Sequence, residues 1–300
     1  MPGSISTSTA VDLSRLPAPD VVEALSFETI YAAMRAELVA LDPTLDALTE
    51  SDPATKVLQV AAYRELGLRQ RVNEAARACM VAYAAGADLD QLAAVFGVTR
   101  LELEPADEEA GTAAVMESDE DLRRRVLLAP DSYSVAGPRH AYVFHALSAD
   151  GDVLDASAVS PAPGEVVVAV LSRLGDGTAS AELLDAVEAA VNGDTVRPLT
   201  DQVTVQSAEL VPFAIEAELT LYAGPDAQLV EDTAAAALDA WLAANRRMGR
   251  DVPRSALIAA LHVAGVQKLE LLSPAADVVV GELQAPAPGE ITLTLAGTDE

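Results

Sequence analysis

A chain of 300 residues with a formal net charge of −28 and a sequence pI near 4.2 has no basic stripe of the kind that phosphate binding needs. Nucleic acid and an anionic membrane surface are therefore excluded as partners. The length suits one large domain or two to three small ones, and a hydrophobic share of 51% is ample for a core. Only 4% of residues are aromatic and much of the apolar share is alanine, so helices held at close range by small side chains are expected.

The N-terminal stretch MPGSISTSTAVDLSRLPAPD lacks an apolar signal core, and no run of 18 apolar residues occurs. Synthesis and folding in a cytoplasm are expected. Residues 1–19 are rich in Ser, Thr and Pro and read as a mobile arm. Apolar residues at Phe27, Ile30, Tyr31, Met34, Leu38 and Leu41 predict a helix that Asp42-Pro43 ends.

The stretch Pro53–Ala84 predicts one long helix, a rod of roughly 48 Å. Ser51 and Asp52 can cap it, Pro53 fits its first turn and Gly86 stands past its end. A 3/4 spacing links Leu58, Ala61, Glu65, Leu68, Val72, Ala75, Cys79 and Ala82 as a coiled-coil-like seam. Cys79, the single cysteine, reads as a small buried member of that seam and excludes an intrachain disulfide. The rod carries Lys56, Arg64, Arg69, Arg71 and Arg77 against Glu65 and Glu74, a local excess of positive charge in an acidic chain. It either packs on its own chain or joins a helix bundle shared between chains.

A short helix over ADLDQLAAVFGV, closed by Gly97, and a strand at TRLEL follow. Residues 104–117 are acidic and weakly patterned and read as a surface linker. Ser118 to Asp121 fits a capping box for DLRRRVLLA. Arg123, Arg124 and Arg125 point in different directions on a helix, which favours solvated or capping roles over an anion site. Gly137-Pro138 turns into a helix over 138–147, whose His140 and His145 have the wrong spacing for a metal pair.

From Val153 the period changes to two. VLDASAV, EVVVAVLS and QVTVQSA predict strands, with a helix at 180–192 between the last two. Gly175-Asp176-Gly177 is a turn, without the spacing of a phosphate loop. A second unit follows: strand FAIEAELTLY, a helix from Pro225 to Asn245, a helix from Arg254 to His262, and strand VQKLELLS. ADVVVGEL and GEITLTLAG, bracketing APAPG, read as a terminal hairpin or two edge strands. Arg246, Arg247, Arg250 and Arg254 form a second basic spot, suited to an acidic protein surface.

The fold class is therefore α+β: an N-terminal helical part with one long bundle helix, then two small α+β units. The expected divisions are an arm at 1–19, a helical region at 20–103, a linker with connecting helices at 104–152, and α+β domains at 153–209 and 210–300. No nucleophile with a base, metal cluster or cofactor loop stands out, so neither an enzyme nor a cofactor is expected.

Several stretches together resemble the baseplate J-like family of contractile-tailed phages. They are DLSRLPAPDVVEALSFETI (12–30), AYRELGLRQRVNEAARACM (62–80), AAGADLDQLAAVFGVTRL (84–101), VMESDEDLRRRV (115–126), SVAGPRHAYVFHALSADG (134–151), VLSRLGDGTAS (170–180), VRPLTDQVTVQSAE (196–209) and ALHVAGVQKLELLSPAADVVV (260–280). They run in family order. The resemblance implies a structural wedge subunit without catalysis, located in the virion tail baseplate. Two copies would join one different wedge protein, six such wedges would surround a hub, and a sheath-initiating wedge protein would sit on the bundle. It further implies that the N-terminal helices form the shared bundle, that the C-terminal domains contact neighbouring wedges, and that wedge rearrangement relays the contraction signal. Carried over by position, Arg64, Glu65, Arg69, Arg71, Asn73, Glu74 and Arg77 are interface candidates beside Leu58, Leu68 and Val72. A tailocin or another contractile injection system fits the same reading. The alternative is a soluble α+β enzyme or ligand-binding protein that dimerises through its N-terminal helix.

Overall fold

The computed structural model describes residues 22–107, 111–224 and 226–299. The expected arm at 1–19 and Pro225 lie outside them. The architecture is α+β, and the chain divides into two compact units between Thr99 and Arg100.

The first unit is helical. Helix α1, Phe27–Leu41, starts at Ser26, whose hydroxyl accepts the Thr29 N–H, and Phe27 and Tyr31 stack one turn apart. Asp42, preceding Pro43, is extended and ends α1, because proline disfavours the helical region for the residue before it. Helix α2, Pro53–Ala78, has 26 residues and a length of about 39 Å. Asp52 is its N-cap by backbone, but its carboxylate turns back to the Thr49 hydroxyl at 2.9 Å and leaves the helix start uncapped.

The expected end at Ala84 is corrected to Ala78. Tight turns follow, in which Met80 donates to the Arg77 carbonyl and Ala84 to that of Met80. These turns bury Ala84. Cys79 is left exposed rather than buried. Gly86 does not follow the rod directly. With φ of +52° it opens helix α3, Gly86–Val95, which buries Leu89 and Ala93.

The second unit begins with a correction. The acidic stretch 104–117, expected as a linker, forms a small hairpin of β1, Glu102–Glu104, and β2, Val115–Met116. Its last residue, Glu117, is buried against Arg125. Helix α4, Asp119–Ser132, is capped by the Ser118 hydroxyl, which accepts the Asp121 N–H. The reciprocal half of the expected capping box is absent, because the Asp121 carboxylate bonds two arginines instead. Helix α5, Arg139–Ala149, follows the Gly137-Pro138 turn.

Strands β3, Val153–Val159, β4, Glu165–Ser172, and β5, Gln202–Ser207, form a sheet in the order β3-β4-β5. The first pair is antiparallel and the second parallel, with α6, Ala181–Val191, between β4 and β5 in sequence. Tyr142, Ala146 and Leu147 of α5 share one core with Val168, Val170 and Val187, so the helices ahead of the sheet belong to its layer.

The second sheet centres on β6, Glu209–Tyr222, between antiparallel β7, Val266–Ser273, and parallel β8, Gln284–Asp299. Alternation sends Phe213, Ile215, Ala217, Leu219 and Leu221 into the core and Glu216 outward. Helices α7, Ala227–Asn245, and α8, Arg254–Leu261, cover that core. Helix α7 buries Val230, Ala234, Leu238 and Leu242 at a four-residue spacing. Gly265, at φ +103°, passes so close that an added Cβ would lie 2.7 Å from Val230 Cγ2.

The expected terminal hairpin is corrected here. One strand, β8, runs straight through APAPG, with Pro286 beside Val211 and Pro288 beside Phe213. An edge strand tolerates proline because only one of its sides needs ladder donors.

Candidate assembly interface

Helix α2 has two unlike faces. One carries Thr55, Ala62 and Asn73, all buried within the helical unit. The Asn73 side chain bonds the Glu23 backbone twice, donating at 2.9 Å and accepting at 3.0 Å. Arg69 bridges Glu65 at 2.7 Å and Glu23 at 3.1 Å. Segment 22–26 is therefore tied to α2 by residues that sequence reading assigned to an interface. Asn73 is inside its own unit, and Glu65 and Arg69 pair within it.

Among the described residues, the opposite face has no cover. Val57, Val60, Leu68 and Val72 are 68%, 63%, 69% and 60% exposed. With Ala61 and Ala75 they follow a 3/4 spacing, so they form one stripe on a 3.6-residue helix. Arg64 and Arg71 are exposed on the same stripe. Ala61, Leu68, Val72 and Ala75 of the expected seam lie on it. Leu58 and Glu65 are half-buried at its flank, and Cys79 and Ala82 fall beyond the helix. Glu74 sits beside Arg71 at 3.9 Å, and Arg77 is exposed in the last turn. The sequence pattern missed Val57 and Val60. They stand one place away from seam positions, and a strict heptad read on a 3.6-residue helix drifts off such neighbours.

The second basic spot is corrected. Arg247 donates to the Leu154 carbonyl at 2.8 Å and to Asp121 at 2.9 Å, and Arg246 donates to the Gly175 carbonyl at 3.0 Å. Arg254 bonds the carbonyls of Pro274 and Leu271. Arg246 and Arg247 in the loop after α7, and Arg254 at the start of α8, thus bind oxygens of their own chain. Arg250 is exposed.

The arginines of α4 are corrected in the same sense. Arg125 forks onto Glu117 at 2.6 and 2.8 Å with both side chains almost fully buried, and Arg124 pairs with Asp155. Asp121 lies between Arg247 and Arg173, at 2.9 and 3.3 Å. Burial pushes its pKa up, but the two guanidinium groups outweigh burial and hold it below the usual carboxylate value. His140 lies 3.2 Å from Asp131, while burial lowers the pKa of His145. No cluster able to hold a metal occurs among the described residues. A cavity beside Glu117, Asp121 and Arg173 has about 10 Å³, space for a single water and not for a metabolite.

Three family models match the chain in order. They are the baseplate J-like N-terminal domain at residues 50–107, the central domain at 134–207 and the C-terminal domain at 213–294. The chain belongs to the baseplate J-like family. Baseplate protein J of Escherichia phage P2 is 49% identical over 299 residues, covering 97% of this chain and 99% of that protein. A chain in the cryo-EM structure of the anti-feeding prophage (AFP) baseplate aligns with a TM-score of 0.39 and 15% identity. That alignment covers 59% of this chain and 43% of the other. Membership supports a structural role, rather than a catalytic one, among the subunits of a phage tail baseplate. In this baseplate J-like chain the N-terminal match contains all of α2, and so the whole exposed stripe.

Proposed function

We propose that this chain is a wedge subunit of a contractile-tail baseplate and that α2 docks through its exposed stripe into a helix bundle. The bundle holds a second copy of the chain and one different wedge protein. The observation that carries this reading is the stripe itself. Val57, Val60, Leu68 and Val72 are large aliphatic side chains in solvent, aligned along one side of a helix whose other side is already packed. An aligned apolar face of this kind marks an association surface. Arg64 and Arg71 beside it favour a partner helix with acidic flanks. Arg77 at the end of α2 and Leu58 at its flank extend the contact, and Glu74 orients Arg71.

The helical region at 20–103 supplies the bundle, the two α+β domains face neighbouring wedges, and a sheath-initiating wedge protein sits above the bundle. Six wedges close around the hub, and their rearrangement relays contraction to the sheath. Assembly takes place in the host cytoplasm.

The test is the native mass of the complex recovered with a tagged copy co-expressed with its neighbouring tail proteins. Two copies of this chain plus one different subunit are expected. A lone monomer would contradict the bundle.

A further inference from the structure

The two sheets of the α+β unit keep separate cores, and Ala208 alone separates β5 from β6 in the chain. The apolar contact between them is small. Leu171, Ala208 and Ala285 are buried in it, with Leu154, Leu210 and Met248 packed half-buried against them. Bodies joined by a contact that is neither large nor strongly apolar move against each other by default. Polar contacts therefore decide whether the sheets hinge at Ala208.

Three successive residues after α7 supply such contacts. Arg246 donates at 3.0 Å to the Gly175 carbonyl, in the turn after β4. Arg247 donates to the Leu154 carbonyl of β3 at 2.8 Å and to Asp121 of α4 at 2.9 Å. The Met248 N–H donates to the Asp155 carboxylate at 2.9 Å. That carboxylate is almost fully buried and also accepts from Arg124 and from the Ala156 N–H. An added Cβ at Gly177 would lie 2.8 Å from an Arg246 nitrogen, so glycine leaves the room in which that side chain sits. The far end of the loop is anchored on its own side. There the Gly249 N–H donates to the Gln284 carbonyl and the Val280 N–H to the Asp251 carboxylate, both at 2.8 Å.

We propose that residues 246–248 are a latch. Seated on α4, β3 and the turn after β4, they make the two sheets one rigid body; unseated, they let the chain bend at Ala208. The side chains of Asp121 and Arg247 are 13% and 17% exposed, so the ion pair at the centre of the latch is largely out of water. A partly withdrawn loop would leave the Leu154 carbonyl and two carboxylates short of a donor before water reaches them. Unmet polar groups of this kind are costly, which disfavours half-open states and makes the latch all-or-none. Arg139 and Glu282, 3.0 Å apart, span the same boundary, but both are about half exposed and add little. The latch lies within the α+β unit and goes beyond the docking proposed for α2.

The test uses the full chain in a Cys79→Ser background. Ala285→Cys places a thiol in the joint between the sheets, and Ala234→Cys places one in the core of the second sheet; both alanines are fully buried. Both thiols are expected to react slowly with a maleimide. Adding Arg247→Ala speeds labelling at 285 about tenfold or more and leaves that at 234 unchanged, because the joint opens while the core stays shut. Asp121→Asn keeps the shape of the seat and removes its charge, and it speeds labelling at 285 by a smaller factor. Arg139→Ala, which removes the exposed pair, changes neither rate; an effect as large as that of Arg247→Ala would overturn the assignment to residues 246–248. Unchanged labelling at 285 with both Arg247→Ala and Asp121→Asn would overturn the latch. Equal acceleration at 285 and 234 by both variants would overturn it too, since the second sheet would then unfold rather than swing.

Discussion

The helical unit and the α+β unit treat the same kinds of residue in opposite ways. In the α+β unit, Leu219, Leu238, Leu257 and Leu261 are fully buried, and Arg124, Arg125, Arg246 and Arg247 reach carboxylates or carbonyls of their own chain. In the helical unit, Leu41, Val57, Val60, Leu68, Val72 and Val95 stand in solvent, and Arg64 and Arg71 lie among them. Of the two units, the helical one keeps an apolar side that the described residues leave uncovered, the side proposed here to dock. Composition does not separate them, since both are rich in alanine, leucine and arginine. The difference lies in whether a second layer exists: a sheet with helices on it hides apolar faces, while a long helix packed on one neighbour hides only one side.

Substitutions can break this contrast. The largest effect on folding is expected from Glu117→Ala. It strands the Arg125 guanidinium in a site where both partners are almost fully buried, at a cost of about 3–5 kcal/mol. Chemical denaturation of the whole chain reads it, and an unchanged midpoint would show that the pair is not buried in solution. Leu219→Ala, in the second core, should cost about 2–5 kcal/mol by the same measurement. Leu68→Asp is its counterpart on α2. Folding of the isolated chain should change by no more than about 0.5 kcal/mol, as for other surface sites, while recovery of the wedge complex is lost. If Leu68→Asp instead unfolded the lone chain, the stripe would be an internal surface and the contrast would fail.

Asp121→Asn sharpens the comparison through pH. The folded pKa of Asp121 is depressed, so its stabilisation is present above the unfolded carboxylate value near 4 and is lost as pH falls through the folded one. The variant should be less stable than the parent at neutral pH, by about 1.5–3 kcal/mol, and the gap should close in acid. A gap that stays constant from neutral to strongly acid pH would contradict the ion-pair account. The smallest effect is expected from Arg69→Ala, because Arg69 and its partner Glu23 are about half exposed and Glu65 is only partly buried. Its melting temperature should be hard to tell from that of the parent.

Much of the fold is legible in the sequence because period and punctuation agree. The strand FAIEAELTLY alternates, the helix expected to end at Asn245 ends there, and Asp42-Pro43 and Gly137-Pro138 mark helix boundaries. Errors arose where tertiary contacts outweighed local pattern. Residues 104–117 looked like a linker because acidic residues hide a two-residue pairing, and the burial of Glu117 depends on Arg125 eight positions away. Strand β8 looked broken because proline is permitted on an edge, and an edge cannot be recognised before the sheet is built. The basic spot at 246–254 looked like a docking surface because the carbonyls and carboxylate that take up its donors are distant in sequence. The α2 stripe was legible as a seam, but which members of the seam stay open depends on where α1 and segment 22–26 lie.

The measurement that tests the central claim most directly is thiol labelling at position 68. In a Cys79→Ser background, Leu68→Cys is labelled in the isolated chain and again in assembled baseplates. Fast labelling of the free chain and strong protection after assembly are predicted, because the stripe is open in one state and covered in the other. Equal labelling in both states would show that α2 does not dock through this face.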